Sequence, residues 1–165
     1  MSYCTGDGKI PTGVATGTIR ADRGAPRVAG LAADYNKMGE IVMGLRFLKI
    51  AVVYLVLGAS LGLYMGLTEV FILAPVHAHI LLLGWASLAL AGIIYHLYPA
   101  AGTTTLARVH FWAHNLLLPV FMVALGALLK GNAGAGPVVG IVAIAMLAAL
   151  ACFAANVLMN AKAAT

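Results

Sequence analysis

The amino-acid sequence predicts an all-α fold: an integral membrane four-helix bundle preceded by a polar N-terminal extension. Of the 165 residues, 62% are hydrophobic and 9% are charged, and the mean hydropathy is +0.99. A single domain of this size cannot hide so much apolar surface from water, so the surrounding solvent is predicted to be lipid. The second observation is a set of four apolar runs, each meeting the length of about 20 residues that a helix needs to cross the hydrocarbon core.

The first 40 residues form the predicted extension, and residues 41–165 form the predicted four-helix domain. The extension is rich in Gly, Thr, Ala, Arg and Asp and shows neither the period of a helix nor that of a strand. This composition predicts a polar, mobile segment. It does not resemble a signal peptide, because the first long apolar run begins only near Ile41. We therefore expect the protein to be inserted by its own helices.

Short linkers connect the four predicted spans. None of them is long enough for a crossover, so consecutive helices are predicted to be antiparallel neighbours. The predicted spans are residues 43–67, 73–98, 106–129 and 137–160.

The basic residues predict the orientation of the bundle. Seven of the ten Lys and Arg residues lie at or before Lys49, so the net charge of +5 flanks the first helix and does not indicate nucleic-acid binding. With a cytoplasmic N-terminus, that side collects nine basic residues and the opposite side keeps only Lys130. The positive-inside rule then places both termini in the cytoplasm and the protein in a bacterial inner membrane. The two cysteines, Cys4 and Cys152, have neither disulfide nor zinc-site spacing.

Three glycines of the first span form two overlapping GxxxG steps at Gly58, Gly62 and Gly66. Such steps let helix backbones approach closely, which is one basis for expecting a homo-oligomer. The alternative is that glycine is simply common in membrane helices.

All five histidines lie in the second and third predicted spans, and all five are candidate metal ligands: His77, His79, His96, His110 and His114. An ionisable side chain inside a bilayer is costly, so such residues are functional hypotheses by default. His96 and His110 lie near the predicted inner interface, where amphipathic rings are also at home without a ligand. For His114, one turn deeper than His110 on the same face, an interhelical hydrogen bond is the alternative to ligation.

His77 and His79 form an HxH motif, and residues two apart on a helix point about 200° apart. The two imidazoles are therefore expected to serve two partners on opposite sides of the helix, not one chelated ion. At a rise of about 1.5 Å per residue, the motif is expected roughly 15 to 20 Å from the depth of His114. A six-coordinate iron at the motif would then take its second ligand from another subunit or lack one.

The string VHAHILLLGWASLALAGIIYHLYP, followed by LARVHFWAHNLLLPVFMVALGAL, resembles the tenth and eleventh helices of the catalytic subunit of heme-copper oxidases. In that family an HxH helix ends in an aromatic-His-x-aromatic-Pro stretch, and a short loop leads to a helix that opens with an IHFW-like motif. The chain also resembles small four-helix bacterial membrane proteins described as oxidase subunit I-like. The resemblance to the oxidases covers about residues 76–128, and the first helix is similar to the small proteins only.

This resemblance implies heme b as the cofactor. It makes His77 the position that binds the high-spin heme and His79 the position that binds the low-spin heme. A competing alignment sets His77 alone against the second helix of nitric oxide reductases, as the ligand of a single low-spin heme. The candidate cofactor-binding residues are therefore His77, His79 and His114.

The sequence also departs from the oxidase pattern. It lacks the further histidine-bearing helix that completes the low-spin heme site in the oxidases. It also has no His-Tyr or His-His helix to hold copper. Without a binuclear centre the protein is not expected to be an oxidase by itself. No acid lies inside a predicted span, and Glu69 lies just beyond the outer end of the first, so a carboxylate proton channel is not expected.

Three functions follow as expectations. The first is a heme b protein of the inner membrane, a homo-oligomer that transfers electrons from a respiratory-chain donor or binds a diatomic gas such as O2 or NO. The second is a copper or zinc site, built where His77 or His79 from several subunits meet around a symmetry axis. The third is a non-catalytic accessory subunit of a respiratory complex, with its histidines serving as hydrogen-bonding partners.

Overall fold

The computed structural model describes the backbone of residues 25–162 and the side chains of residues 43–162. The described residues contain helices and no strand. The chain is built from α1 (Ala25–Thr68), α2 (Ala74–His79), a π-helix (Ile80–Ser87), α3 (Leu88–Leu97), α4 (Pro99–Gly102), α5 (Thr105–Leu129), a 3₁₀ turn (Ala133–Ala135) and α6 (Gly136–Asn160).

Four of the helical stretches are long and apolar enough to cross a membrane: Met43–Thr68, Ala74–Leu97, Thr105–Leu129 and Ala133–Asn160. Their bounds lie within a few residues of the four predicted spans. The protein is therefore an all-α, multi-pass membrane bundle of four helices, as predicted. The loops at residues 69–73 and 98–104 lie at opposite ends of this bundle, and we call the second of these the 98–104 end.

The first helix begins earlier than expected. α1 starts at Ala25, so the second half of the predicted polar extension continues the first membrane helix. Extending an existing helix adds one backbone hydrogen bond per residue without a new nucleation step, which favours this continuation. The predicted mobile extension spans residues 1–40. Its first 24 residues lie outside the part of the chain that the structure describes.

The second span is interrupted, although the sequence predicts one continuous helix. Its middle is a π-helix over Ile80–Ser87, in which hydrogen bonds join residues five apart instead of four. Two adjacent carbonyls of this segment accept hydrogen bonds from side chains, Leu82 from the Ser87 hydroxyl at 2.8 Å and Leu83 from His114 at 3.0 Å. Side chains that enter the backbone ladder in this way are a known cause of local helix distortion.

Glycines bring α1 and the second span into close contact. A Cβ atom on Gly44 would lie 2.8 Å from the carbonyl oxygen of Gly92, so both backbones need the small residue. Gly58 is covered by the side chain of Leu81, and Gly62 by the ring of His77, whereas nothing lies within 4 Å of a Cβ at Gly66. Two of the three GxxxG glycines thus pack within the chain, and homo-oligomerisation stays a prediction.

The loop at the 98–104 end folds into the bundle. Ala101 is completely buried, and the following helix, α5, is capped by the Thr104 hydroxyl, which accepts the backbone N–H of Ala107 at 3.0 Å. At its other end α5 stops at Leu129, and Gly131, two residues further on, has a φ of 95°, which favours glycine. α5 then packs antiparallel against α6, and the interior divides into two apolar clusters, one towards each end of the bundle.

Candidate functional site

His77 lies half-buried against α1. Its Nδ1 donates a hydrogen bond to the carbonyl oxygen of Gly58 at 2.9 Å. The ring rests on Gly62, where a Cβ atom would stand 2.7 Å from the imidazole Cε1. The missing side chain of Gly62 therefore creates the recess that holds the ring, and the backbone of Gly58 supplies the hydrogen-bond acceptor.

His79 faces the opposite side of the same helix. Its Nδ1 donates to the carbonyl oxygen of Pro75 at 2.7 Å, and its ring meets Phe121 of α5 edge to face, with centroids 5.3 Å apart. Beside it lies a cavity of about 310 Å³, which we call the His79 pocket. Its walls are apolar apart from His79 itself: Leu82, Leu83, Phe121, Ala143, Met146, Leu147 and Leu150.

Both rings of the motif are held in the same tautomer. A backbone carbonyl only accepts, so each Nδ1 must carry the proton and each Nε2 keeps its lone pair. Among the described residues, neither Nε2 has a hydrogen-bond partner, and the one buried polar side-chain atom without a partner is Asn115 Oδ1. The two Nε2 atoms are therefore accessible. A histidine that donates one ring N–H to a carbonyl and presents its other nitrogen is arranged as metal-ligating histidines are.

The opposed directions that the sequence predicts for His77 and His79 are confirmed, since one ring packs on α1 and the other on α5.

His110 occupies a different environment, because it is 1% exposed. Its ring is stacked between Phe47 at 5.3 Å and Phe153 at 4.9 Å, with interplanar angles of 23° and 30°. The sequence suggests a position near the interface for this histidine, and the structure shows that its ring is enclosed within the bundle. The reason is that α1 and α6 each contribute an aromatic ring that closes over it.

His110 and His114 form a buried pair with a fixed direction of hydrogen bonding. His114 Nε2 lies 3.0 Å from the Leu83 carbonyl, which only accepts, so this nitrogen donates and Nδ1 accepts. His110 Nε2, 3.3 Å from that Nδ1, must then be the donor. The remaining His110 nitrogen, Nδ1, therefore accepts from the Tyr95 hydroxyl at 3.4 Å.

Asn156 of α6 starts this series of hydrogen bonds. Its Nδ2 donates to the Tyr95 hydroxyl at 3.4 Å and to the Ala101 carbonyl at 2.8 Å. Its Oδ1 accepts from the Thr104 hydroxyl and from Asn160 Nδ2, each at 2.9 Å. The side chain, which is completely buried, thus makes all the hydrogen bonds that an amide can make. We call the set Asn156, Tyr95, His110, His114 and the Leu83 carbonyl the buried network.

The sequence analysis missed Tyr95 and Asn156 as members of a site. The available signal was the position of Asn156 inside an apolar span, because a polar side chain there needs a partner. The interhelical hydrogen bond weighed for His114 is the one that forms.

The depth difference expected between the HxH motif and His114 is too large. Leu83, whose carbonyl receives His114, is only four residues or about 6 Å along the axis from His79. The sequence-based figure counted each histidine from the end of its own span. It assumed regular α-helices and did not include the reach of the imidazole side chain.

His96 takes no part in either group. It is exposed and borders a small cavity of about 160 Å³ with Gly44, Leu45 and Leu48. Within the described residues no three His, Cys, Asp or Glu side chains are placed to hold one metal ion. The five candidate ligands are therefore spread over three separate places in one chain.

These contacts define a class of protein: a multi-pass four-helix membrane protein with an HxH motif that presents two unpaired imidazole nitrogens beside a fully paired, buried histidine network. Comparison of the chain with protein-family models, curated proteins and solved structures found no match.

Proposed function

We propose that the protein binds heme b through the Nε2 atoms of the HxH motif and serves electron transfer or the binding of a diatomic gas. One observation carries the proposal: His77 and His79 each fix their ring by an Nδ1–H bond to a backbone carbonyl and leave Nε2 unpaired. Imidazole is the commonest axial ligand of heme iron, and an orienting bond on the other nitrogen is its usual support.

The surroundings of His79 suit an apolar macrocycle. The His79 pocket of about 310 Å³ lies at the lower end of the range for ligand sites, about 300–1,000 Å³. It reaches the surface of the bundle beside Leu82 and Leu147, which are 64% and 67% exposed. A cofactor larger than the cavity can therefore extend out of it towards lipid.

His114 is not among the ligands that we propose, although the sequence makes it a candidate. Both of its ring nitrogens are engaged, one with Leu83 and one with His110. Ligation through either nitrogen would break the buried network and leave a buried donor or acceptor without a partner, at a cost of about 1–3 kcal/mol.

The heme would supply the redox or gas-binding chemistry, and the chain supplies the place and the ligand. The carbonyl of Pro75 keeps the His79 ring directed into the His79 pocket. The carbonyl of Gly58 fixes the His77 ring on the opposite side of the helix. The apolar walls exclude water, which would otherwise compete for the iron. Whether a sixth ligand is present decides between electron transfer and gas binding.

The same proposal includes a place in the cell and partners. The basic residues favour a bacterial inner membrane with both termini in the cytoplasm, which puts the HxH motif near the outer face. No second histidine lies opposite His79 across its pocket among the described lining residues. A six-coordinate site would therefore draw on a second subunit of a homo-oligomer, reduced by a respiratory-chain donor.

A copper or zinc site is the second candidate function. The same unpaired Nε2 atoms favour it, because neutral imidazole suits both metals. One chain does not offer three donors to one ion within the described residues, so this site would need symmetry-related copies. Function as an accessory subunit without cofactor would leave the two Nε2 atoms unused.

One spectrum of the detergent-purified protein separates these functions. We expect a Soret band in the oxidised protein that shifts on reduction. Elemental analysis that finds copper or zinc, with no Soret band, would favour the second function. A colourless protein without either metal, after expression with supplied heme, would contradict both.

A further inference from the structure

We infer that His114 and His110 are positioning residues for His79, acting through the Leu83 carbonyl and the π-helix that follows the HxH motif. The functional meaning of this inference rests on the proposed role of His79 as a ligand. Its structural content concerns the direction in which the His79 ring points and can be measured without any cofactor.

The π-helix begins directly after His79 and ends directly before Leu88. Each of its turns holds about one residue more than an α-turn. If the π-helix relaxed to an α-helix, its extra residue would have to be accommodated by rotation of α2 relative to α3. That rotation is on the order of 100° for each extra residue. The π-helix thus determines which way the HxH motif faces while α3 stays packed on α1.

Side-chain hydrogen bonds hold the π-helix in its conformation. In an α-helix the carbonyl of residue i is the acceptor of the backbone N–H of residue i+4. Here the carbonyl of Leu82 accepts from the Ser87 hydroxyl, and that of Leu83 accepts from His114 Nε2. Ser87 belongs to the π-helix itself, whereas His114 is on α5. His114 therefore connects the π-helix to α5 by a side-chain hydrogen bond to one of its carbonyls.

The other members of the network set the proton on His114. Its Nε2 donates to Leu83 only while its Nδ1 accepts from His110, and His110 Nε2 is a donor only while its own Nδ1 accepts from the Tyr95 hydroxyl. This order explains why a polar series is retained in an apolar core, where each member is costly if unpaired. The Tyr95 end selects the tautomer, and the Leu83 end uses it.

Leu83 also joins the two groups in space. Its side chain is part of the wall of the His79 pocket, and its carbonyl is the acceptor of His114. Loss of the His114 bond would therefore move the pocket wall and the proposed ligand together, while the fourth span remains packed on α5.

The experiment compares His114→Met, His114→Gln and Leu116→Ala. Met keeps most of the volume and removes the N–H donor, Gln restores an N–H that can reach Leu83, and Leu116 is exposed on the same helix. Spin labels at Ala78→Cys and Leu147→Cys, with Cys4 and Cys152 replaced by Ser, report the distance between α2 and α6 by pulsed electron paramagnetic resonance. Heme content and the Soret position are recorded on the same proteins without labels.

We expect His114→Met to change the label distance by about 8 Å, because a rotation of about 100° displaces a side chain on a helix of about 10 Å diameter by that amount. Heme affinity should fall by about 10- to 100-fold, as for loss of other groups that orient a ligand. His114→Gln should restore both values, and Leu116→Ala should change neither.

An unchanged distance in a folded His114→Met protein would overturn the inference, as would an equal change in Leu116→Ala. If His114→Met does not fold, Tyr95→Phe takes its place. That variant frees the His114 tautomer and keeps both rings, so a broadened label distance is expected and an unchanged one contradicts the inference. Wild-type protein that takes up no heme would contradict the proposed function alone, since the label distances are measured without cofactor.

Discussion

The two histidine pairs of this bundle occur on neighbouring helices and yet are paired in opposite ways. In the HxH motif each ring uses only Nδ1, on a backbone carbonyl of its own helix or of α1, and keeps Nε2 accessible. In the buried pair all four ring nitrogens are engaged, and the rings are 1% and 0% exposed. The difference shows that a histidine in an apolar span is a candidate ligand only when its second nitrogen is free. The same residue type otherwise serves as a two-ended hydrogen-bond connector.

The two pairs also differ in what they cost the fold. Each interhelical hydrogen bond in a membrane protein contributes about 0.6 kcal/mol on average, so the buried network stabilises the bundle modestly when complete. A broken network is worse, because an unpaired group in the interior costs about 1–3 kcal/mol. Variants of the buried pair should therefore change stability and reach the bound group only through the π-helix, whereas variants of the HxH motif should change directly what is bound.

The largest effect should come from replacing His77 and His79 together by Ala. Removing both unpaired Nε2 atoms takes away the only ligands that we propose, so we expect almost complete loss of the Soret band at normal expression in the membrane. His96→Ala is the matched control, because His96 is exposed and distant from the His79 pocket, and it should keep full heme content. A double variant that retained all of its heme would move the site to the buried pair.

The second effect concerns the start of the buried network. Asn156→Leu removes one hydrogen-bond partner from the Tyr95 hydroxyl, one from the Ala101 carbonyl and one from the Thr104 hydroxyl at once. We expect the free energy of unfolding to fall by about 2–3 kcal/mol, because buried groups lose their partners. Unfolding in mixed micelles with increasing denaturing detergent measures this value.

Leu158→Ala, at a position that is 85% exposed on the same helix, should stay within about 0.5 kcal/mol of wild type. An equal loss in both variants would show that the network contributes nothing specific.

Close backbone contact between α1 and α3 gives the third effect. Gly92→Ala would place its Cβ 2.9 Å from the carbonyl oxygen of Gly44, a backbone atom that cannot rotate away. We expect a loss of about 1–3 kcal/mol in unfolding free energy from the forced shift of one helix. Gly140→Ala, where nothing lies within 4 Å, is the control and should be neutral or slightly stabilising. Equal stability of the two variants would contradict the packing described.

The sequence was sufficient for the fold and for one of the two histidine pairs. Hydropathy and linker length fix four antiparallel spans because a bilayer requires long apolar helices with paired backbones. The opposed directions of His77 and His79 follow from the helical period alone. Both inferences depend on local spacing, which a sequence displays directly.

The buried network depends on contacts that spacing does not display. Tyr95 and Asn156 are 61 residues apart in the sequence, and Asn156 also donates to the Ala101 carbonyl of the 98–104 loop. We infer a similar origin for the π-helix. His114 of α5 donates to the Leu83 carbonyl of the π-helix, and this contact between distant residues competes with regular α-helical hydrogen bonding. The depth estimate for His114 was too large because it assumed regular α-helices and left out the reach of the imidazole side chain.

The smallest predicted effect concerns the contact between Gly62 and the His77 ring. Gly62→Ala would place a Cβ 2.7 Å from Cε1 of the His77 ring, which is the movable end of a side chain and can tilt. Tilting lengthens the Nδ1 bond to Gly58, so we expect a loss of no more than about 1 kcal/mol in stability. A small shift of the Soret band should accompany it, because the orientation of a ligating imidazole tunes the iron.

Gly66→Ala adds the same methyl group one turn further along α1, where nothing lies within 4 Å, and should leave the spectrum unchanged. The sequence alone assigns these glycines to an interface between subunits, so the oligomeric mass of both variants is measured beside the spectrum. A change of mass in Gly62→Ala with an unchanged Soret band would return Gly62 to that interface and remove its role beneath His77. A shifted band at constant mass would support the recess that the structure shows, because the atoms nearest to the added methyl group at Gly62 are those of the His77 ring.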